Sequence, residues 1–537
     1  MLPFNTPSIK LTLVDNNSHI FTEQSASLVF GKKTFDNSVI FTIDGNETFR
    51  LMHDMINKAE TNICIISYDI DPQVHLIRVA AMQQQSPLVN SRSEMDNQEA
   101  DKQRSHHEEL SKDNNILENL LIRKTIEGVD IKLLVWEPKL LIRLFPGSKS
   151  RGIGPREEKL KSIRRLAKKY GVENRIRIRV DNMSPTYTSG FHEKIIVIDN
   201  RVGFCGGFDL MSDKWDTNSH DYDNLLRDNN YSPWHDIHAM VTGQIVQDLI
   251  IHFNQRWTYS LSKNINSAEE SKITITLSKK QYFPFTDNNE GNGVEIQAFR
   301  TWKALERNKD RDYISGIYSW YTLIFKRAKN SIYIEDQFPF QNNSITQVLG
   351  EQLKQEQNLK VIIVGPMKPN LPQSLLSIIS KESIKDINNN LSYLRKIGGE
   401  RVKTYSLVSQ HPSIPQNRRQ IYVHSKLLIA DDNWMKIGSA NMDKKGFYDS
   451  VEFDLGITSP KLAQKIRIRL WKEHLNQNGQ KSESKIDLDN FEEGFKYWIT
   501  MANNNGERVQ NNEPLQGHIY YYNFEEMNLP SPYLNAK

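Results

Sequence analysis

Two short segments carry residue types suited to breaking a phosphodiester, and both carry them at one spacing. The first is His192-Glu193-Lys194, closed by Asp199; the second is His424-Ser425-Lys426, closed by Asp431. Both segments, HEKIIVID and HSKLLIAD, are rich in Ile, Val and Leu and read as strands. Residues i and i+2 of a strand share a face, so each histidine points the same way as its lysine. The lysine can neutralise non-bridging oxygens of an anionic phosphodiester, and the histidine can do covalent or proton-transfer work. Asp199 and Asp431 complete the set but fall on the opposite strand face. With Asn200 and Asp432 they resemble hairpin turns, so they read as structural charge partners rather than as the acid or base. Small residues follow each hairpin, Gly206-Gly207-Phe208-Asp209 and Gly438-Ser439-Ala440-Asn441. Glycine lets a backbone approach a ligand closely. Gly207, Asp209, Ser439 and Asn441 are therefore candidates to hold phosphate oxygens or to orient neighbours.

The elements that must position these residues also repeat. FHEKIIVIDNRVGFCGGFDL (191–210) aligns without a gap on VHSKLLIADDNWMKIGSANM (423–442), AETNICIISYD (59–69) on AKNSIYIEDQF (328–338), and GVDIKLLVWEP (128–138) matches NLKVIIVGPMKP (358–369). One such motif is weak evidence and two in equivalent strands are strong. The period is too long for a solenoid; it indicates a duplicated domain with one site at a pseudo-twofold interface. Helical spacing is expected over 47–60, 114–127 and 157–170, and strands over Asn62–Ser67 and Asp130–Trp136. The basic face of 157–170 (Lys159, Lys161, Arg164, Arg165, Lys168) reads as a solvated face, with contact to an anionic bilayer as the alternative. A polar stretch at about 83–115 reads as an insertion.

Length and composition narrow the classes. A chain of 537 residues is too long for one ordinary domain and suits two large lobes or several smaller domains. A net charge of +4 argues against a dedicated nucleic-acid binder. Two cysteines, Cys64 and Cys205, imply neither a disulfide framework nor a Cys/His metal site. No apolar run reaches membrane-helix length and the first residues lack a secretory pattern. The expectation is a protein that stays in the cytoplasm or leaves without a classical signal, and that associates with membranes peripherally.

On these motifs the chain resembles the phospholipase D superfamily, specifically its two-motif eukaryotic-type branch. Four further stretches carry the likeness: SPWHDIHAMVTGQIVQDLIIHFNQRW (232–257), IYIEDQFPF (332–340, with Asp336 where Asn is usual), IGSANMD (437–443) and DSVEFDLGI (449–457). The resemblance implies an α/β fold of two pseudo-symmetric lobes, each a mixed β-sheet flanked by helices, with the active site at their interface. Expected boundaries are an N-terminal strand-rich segment 1–45, a first lobe 46–265, a second lobe 266–480 and a C-terminal extension 481–537. The resemblance also implies a phosphohistidine mechanism, with His192 as nucleophile and His424 as acid and base. Asp236 and Glu452 are the carboxylates expected to hold the histidines' other ring nitrogens, one per lobe. No cofactor and no metal are expected, because the lysines supply the positive charge. The implied partner is a phospholipid at a membrane surface rather than nucleic acid, bound by a monomer with an internal pseudo-dimer. Alternatives are a phosphatidyl-transferring synthase of the cardiolipin-synthase kind, a nuclease of the superfamily and, last, an inactive lipid-binding scaffold. The Asn/Lys/Ile-rich composition suggests a bacterial protein, an effector among the roles open to it.

Overall fold

The computed structural model describes residues 31–79, 113–137, 155–182, 190–228, 232–260, 292–302, 314–367, 380–475 and 486–521. Most of the polar insertion and the first thirty residues lie outside them. The chain begins with β1 (Thr34–Ile43), which runs directly into α1 (Asp44–Asn57). Then come β2 (Asn62–Ser67), α2 (Leu117–Ile126), β3 (Asp130–Trp136), α3 (Arg156–Lys169) and β4 (Ile176–Asp181). NICIIS and DIKLLVW are almost continuously apolar, as strands covered on both faces must be, and β2, β3 and β4 pair in parallel. A hairpin of β5 (Ile195–Ile198) and β6 (Val202–Gly206) follows, then β7 (Trp234–His235), β8 (Ile237–Thr242) and α4 (Val246–Tyr259). Antiparallel pairing gives the spatial order β4-β3-β2-β5-β6-β8-β1.

The second half repeats that plan. It runs β9 (Asn292–Trp302), β10 (Ile314–Ser315), α5 (Gly316–Arg327), β11 (Ser331–Asp336), α6 (Asn343–Gln355), β12 (Lys360–Val364), α7 (Ser380–Gly398), β13 (Val402–Gln410), β14 (Arg418–Val423), β15 (Lys426–Ala430), β16 (Trp434–Gly438), β17 (Glu452–Thr458) and α8 (Pro460–His474). Its order is β13-β12-β11-β15-β16-β17-β9, with the same parallel outer strands and antiparallel inner ones. The halves meet where β1 pairs antiparallel with β9, Asn37 opposite Val294. The two expected sheets are thus halves of one continuous mixed sheet. The last elements, α9 (Phe491–Gln510) and β18 (Ile519–Tyr521), pack on the second half; β18 pairs with β13, and Tyr521 stacks on Tyr405. The C-terminal extension therefore packs on this edge as far as Tyr521.

One hydrophobic core serves both halves. It joins Leu249 and Phe253 of α4, Leu470 and Trp471 of α8 and Trp498 of α9 to strand residues from each half. Separate clusters fill the other faces, around Phe49, Leu120 and Ile163 in the first half and Ile317, Leu349 and Leu391 in the second. On α3 the basic face is answered by acids: Lys159 binds Asp69 at 2.9 Å, Lys161 binds Glu158 at 2.6 Å and Arg164 meets Glu157 at 3.2 Å. That favours a solvated face over a bilayer contact. Among the described residues no helix is long and apolar enough to cross a membrane, and both cysteines are free.

Candidate active site

The motif spacing predicts strands starting at each histidine. Regular strand begins only at Ile195 and Lys426, and the histidines sit just before it, where the chain crosses to the other half. Phe191 forms a parallel bridge with Val451, and His192 N–H donates to the Val451 carbonyl at 2.9 Å. The second motif does the same in mirror fashion. β14 pairs parallel with β7, Val423 opposite His235, and His424 N–H donates to the His235 carbonyl at 2.8 Å. In each case the next residue along the opposite segment is an acid. Glu452 follows Val451, and its Oε2 lies 3.1 Å from His192 Nδ1; Asp236 follows His235, and its Oδ2 lies 2.6 Å from His424 Nδ1. The carboxylates thus serve the histidines crosswise between halves.

The two imidazoles are not held alike. His192 Nδ1 also lies 3.0 Å from the Ser439 carbonyl, which can only accept, so Nδ1 carries the proton and Nε2 keeps a lone pair. His424 Nδ1 faces the Asp236 carboxylate. Burial holds both imidazoles well below the usual histidine range, helped at His192 by Lys194 and Lys426, and at His424 by Lys426, Lys214, Lys194 and His192. Both motifs therefore share one electrostatic field. Burial pushes Asp236 up to about 6, with Lys426 pulling the other way, and holds Glu452 well above the carboxylate range. Burial lowers Lys426 to about 8, opposed by Asp236 and Asp336.

Each lysine is fixed from two sides. Lys194 Nζ donates to the His192 carbonyl at 2.9 Å, lies 3.4 Å from Asp209 and sits over the Tyr68 ring. Lys426 donates to the His424 carbonyl, and to Gln337 Oε1 at 3.2 Å. Asp209 is thus a lysine partner. The Ser439 hydroxyl exchanges hydrogen bonds with the Phe453 backbone. Its loop is held by Asp454, which accepts from Ser439 N–H at 2.8 Å and Ala440 N–H at 3.1 Å. Asn441 is buried, its Oδ1 without a hydrogen-bond partner. Gly207 makes room for a carboxylate instead of a ligand: a Cβ there would lie 2.0 Å from Asp236 Oδ1.

Asp199 and Asp431 lie at the hairpin turns. Each turn has positive φ at both central residues, 52° and 55° at Asp199-Asn200 and 51° and 46° at Asp431-Asp432. Asp199 accepts from the backbone N–H groups of Glu60, Thr61 and Asn62, and Asp431 from those of Lys329, Asn330 and Ser331, all at 2.7–3.0 Å. Their partners are backbone amides at the starts of β2 and β11, not a cationic side chain. Asp199→Ala is therefore expected to cost about 1–3 kcal/mol of stability. Turnover measured well below the melting temperature should stay within a few-fold of wild type. An unchanged melting curve with lost turnover would instead make Asp199 catalytic.

Four residues around the site lie outside the His-x-Lys motifs, two of them (Trp234 and Gln337) within the stretches that carry the family likeness: Tyr68, edge-on to His192 at 4.8 Å; Trp234, 4.9 Å from the His424 ring; Tyr422; and Gln337, which accepts from Lys426 and donates to Tyr422 OH at 2.9 Å. The repeat held the signal for two of them. Aligning 59–69 on 328–338 places Tyr68 against Gln337, and these are the residues that meet the two lysines.

Residues 106–362 match the family described as phospholipase D, and residues 322–473 match the PLD-like domain described as cardiolipin synthase. The chain belongs to the phospholipase D superfamily. It is 24% identical to phospholipase D alpha 4 of Arabidopsis thaliana over 66% of its own length and 57% of the relative's. Phospholipase D alpha 1 of Vigna unguiculata is 25% identical over 75% of this chain and 64% of its own, so the chain spans about three-fifths of these relatives. A crystal structure of a Haemophilus influenzae phosphatidylserine synthase superposes with a TM-score of 0.51 at 11% identity, covering 91% of this chain and 98% of that one. At that identity it supports the superfamily's fold alone.

Proposed function

We propose that the protein is a phospholipase D, cleaving the distal phosphodiester of a glycerophospholipid to phosphatidic acid and a free headgroup alcohol. The observation that carries this reading is the crossed pair of histidines and carboxylates in the field of two lysines. His192 Nε2 supplies its lone pair to phosphorus, and the bond to the headgroup oxygen breaks. That oxygen is a poor leaving group as an alkoxide, so His424 Nε2 delivers a proton to it. Binding the anionic diester beside Lys194 and Lys426 offsets the charge that keeps His424 neutral, which lets it carry that proton. In the second step a water gives its proton to His424 and attacks phosphorus. The phosphorus–nitrogen bond breaks and His192 regains its lone pair. The lysines hold the non-bridging oxygens throughout.

A covalent intermediate outlives the first alcohol, so another alcohol can take the place of water. Purified protein incubated with phosphatidylcholine should form phosphatidic acid, and with added ethanol also phosphatidylethanol, read by lipid mass spectrometry. Phosphatidic acid as the sole product, at ethanol levels that leave total turnover unchanged, counts against the exchangeable intermediate. The second half matches a cardiolipin-synthase domain, so transfer to a lipid alcohol is the reading to set beside hydrolysis. Phosphatidylglycerol as acceptor tests it in the same assay. Plasmid cleavage without lipid turnover would assign the nuclease alternative.

A further inference from the structure

Behind His424 lies a second group of chemically capable side chains that the proposed reaction does not use. Asp44 opens α1, His220 lies in the loop after Asp209, His235 lies in β7 and Glu473 lies near the end of α8. The first three belong to the first half and the last to the second. All four are about 0–2% exposed. Their facing atoms converge: His235 Nδ1 is 3.0 Å from Asp44 Oδ1 and 3.1 Å from Glu473 Oε1, and His220 Nε2 is 3.3 Å from Asp44 Oδ2 and 3.4 Å from Glu473 Oε1. Taking one donor from each residue, all four atoms lie within 4.8 Å of one another. Four ligands at zinc–nitrogen and zinc–oxygen distances around one tetrahedral ion are about 3.3 Å apart.

The surroundings point to an ion independently of that convergence. Each histidine turns its other ring nitrogen to an anchored carboxylate. His235 Nε2 is 2.9 Å from Glu335 Oε2, and His220 Nδ1 is 2.9 Å from Asp216 Oδ2. Glu335 is itself held by Tyr333 OH and His474, and Asp216 by Arg227 and the Trp234 N–H. This carboxylate–imidazole arrangement orients metal-binding histidines and fixes their tautomers. Asp44 Oδ2, fully buried, is aimed into the group, where it faces His220 Nε2 at 3.3 Å without meeting hydrogen-bond geometry. A divalent ion at the centre would be met by one ring nitrogen of each imidazole, leaving the other N–H for its outer carboxylate. The two rings lie with centroids 5.6 Å apart.

We propose that Asp44, His220, His235 and Glu473 bind a structural divalent transition-metal ion of the zinc class that ties the two halves together behind the acid–base histidine. Asp44 Oδ1 accepts from the Asp236 N–H at 3.3 Å, and the His235 carbonyl receives the His424 N–H. The ion thus steadies the segment that carries Asp236. It lies apart from the phosphate, whose charge the lysines still meet.

Metal analysis of the full chain, purified without chelator or a metal-charged resin, tests this. About one zinc per chain is expected, released to a chromophoric chelator only on denaturation. The extended X-ray absorption fine structure at zinc should show about four nitrogen or oxygen neighbours at about 2.0 Å, imidazole outer-shell scattering and no sulfur. His220→Ala and Glu473→Gln should each lower retained zinc at least tenfold. Should either fail to fold, the wild-type measurements decide alone. Zinc below about a tenth of an equivalent, both as purified and after incubation with zinc and desalting, overturns the proposal. So does zinc fully retained by a folded His220→Ala protein. Either result makes the group a metal-free network of imidazolium and carboxylate.

Discussion

His192→Ala and His424→Ala each remove nearly all turnover, roughly 10³-fold or more, while circular dichroism stays at the wild-type signal. The size follows from separate steps that no neighbour can take over. Without His192 there is no nitrogen to accept phosphorus; without His424 there is no proton for the departing alkoxide. The two variants differ on a substrate whose leaving group needs no proton, such as a phosphatidyl ester of p-nitrophenol. His424→Ala should release p-nitrophenol in a burst approaching one equivalent and then stall, because attack survives and hydrolysis lacks its base. His192→Ala should give no burst. Turnover of a natural lipid within tenfold of wild type, for either variant, sinks the shared site. A burst from His192→Ala alone reverses the two roles.

Asp236→Asn should lower kcat by about 10²–10⁴ with little change in KM, whereas Glu452→Gln should cost at least tenfold less. The difference comes from the partners at each Nδ1. At His424 the contact is the Asp236 carboxylate at 2.6 Å. An amide there can present its NH₂, turn the ring to the other tautomer and remove the charge that supports an imidazolium. At His192 the Ser439 carbonyl still fixes the Nδ1 proton at 3.0 Å, so the nucleophilic lone pair survives replacement of Glu452, which burial already holds toward its neutral form. Steady-state kinetics of both variants on one lipid decide this. Equal losses, or a larger loss for Glu452→Gln, mean that the backbone carbonyl does not set the His192 tautomer.

Much of this protein is legible in its residues alone. The doubled His-x-Lys spacing marks the candidate reacting groups by residue type and repetition, even though the histidines sit just before regular strand. The ungapped match of 191–210 to 423–442 discloses the duplication, and apolar runs such as NICIIS locate parallel strands. Helix ends are less well marked. The pattern at 47–60 suggests a helix that in fact occupies Asp44–Asn57, since β1 passes into it without a loop. Periodicity records which face is buried, not where the hydrogen-bonded turns begin.

What the tertiary structure alone decided is who meets whom across the pseudo-twofold. Asp236 and Glu452 stand out in the sequence as acids one per half, yet nothing local says that each serves the other half's histidine. That follows from two parallel contacts, Phe191 with Val451 and Val423 with His235. Likewise β1 and β9, far apart along the chain, fuse the two sheets into one. The functions of glycine and aspartate at the motifs shifted for the same reason: Gly207 accommodates Asp236, and Asp199 binds the amides that open β2. The donors around His235 have no spacing to read, because they come from four separate segments. Local patterns report a residue's own face and turn; convergence of distant segments is set by pairing and burial over the whole sheet, which no short window contains.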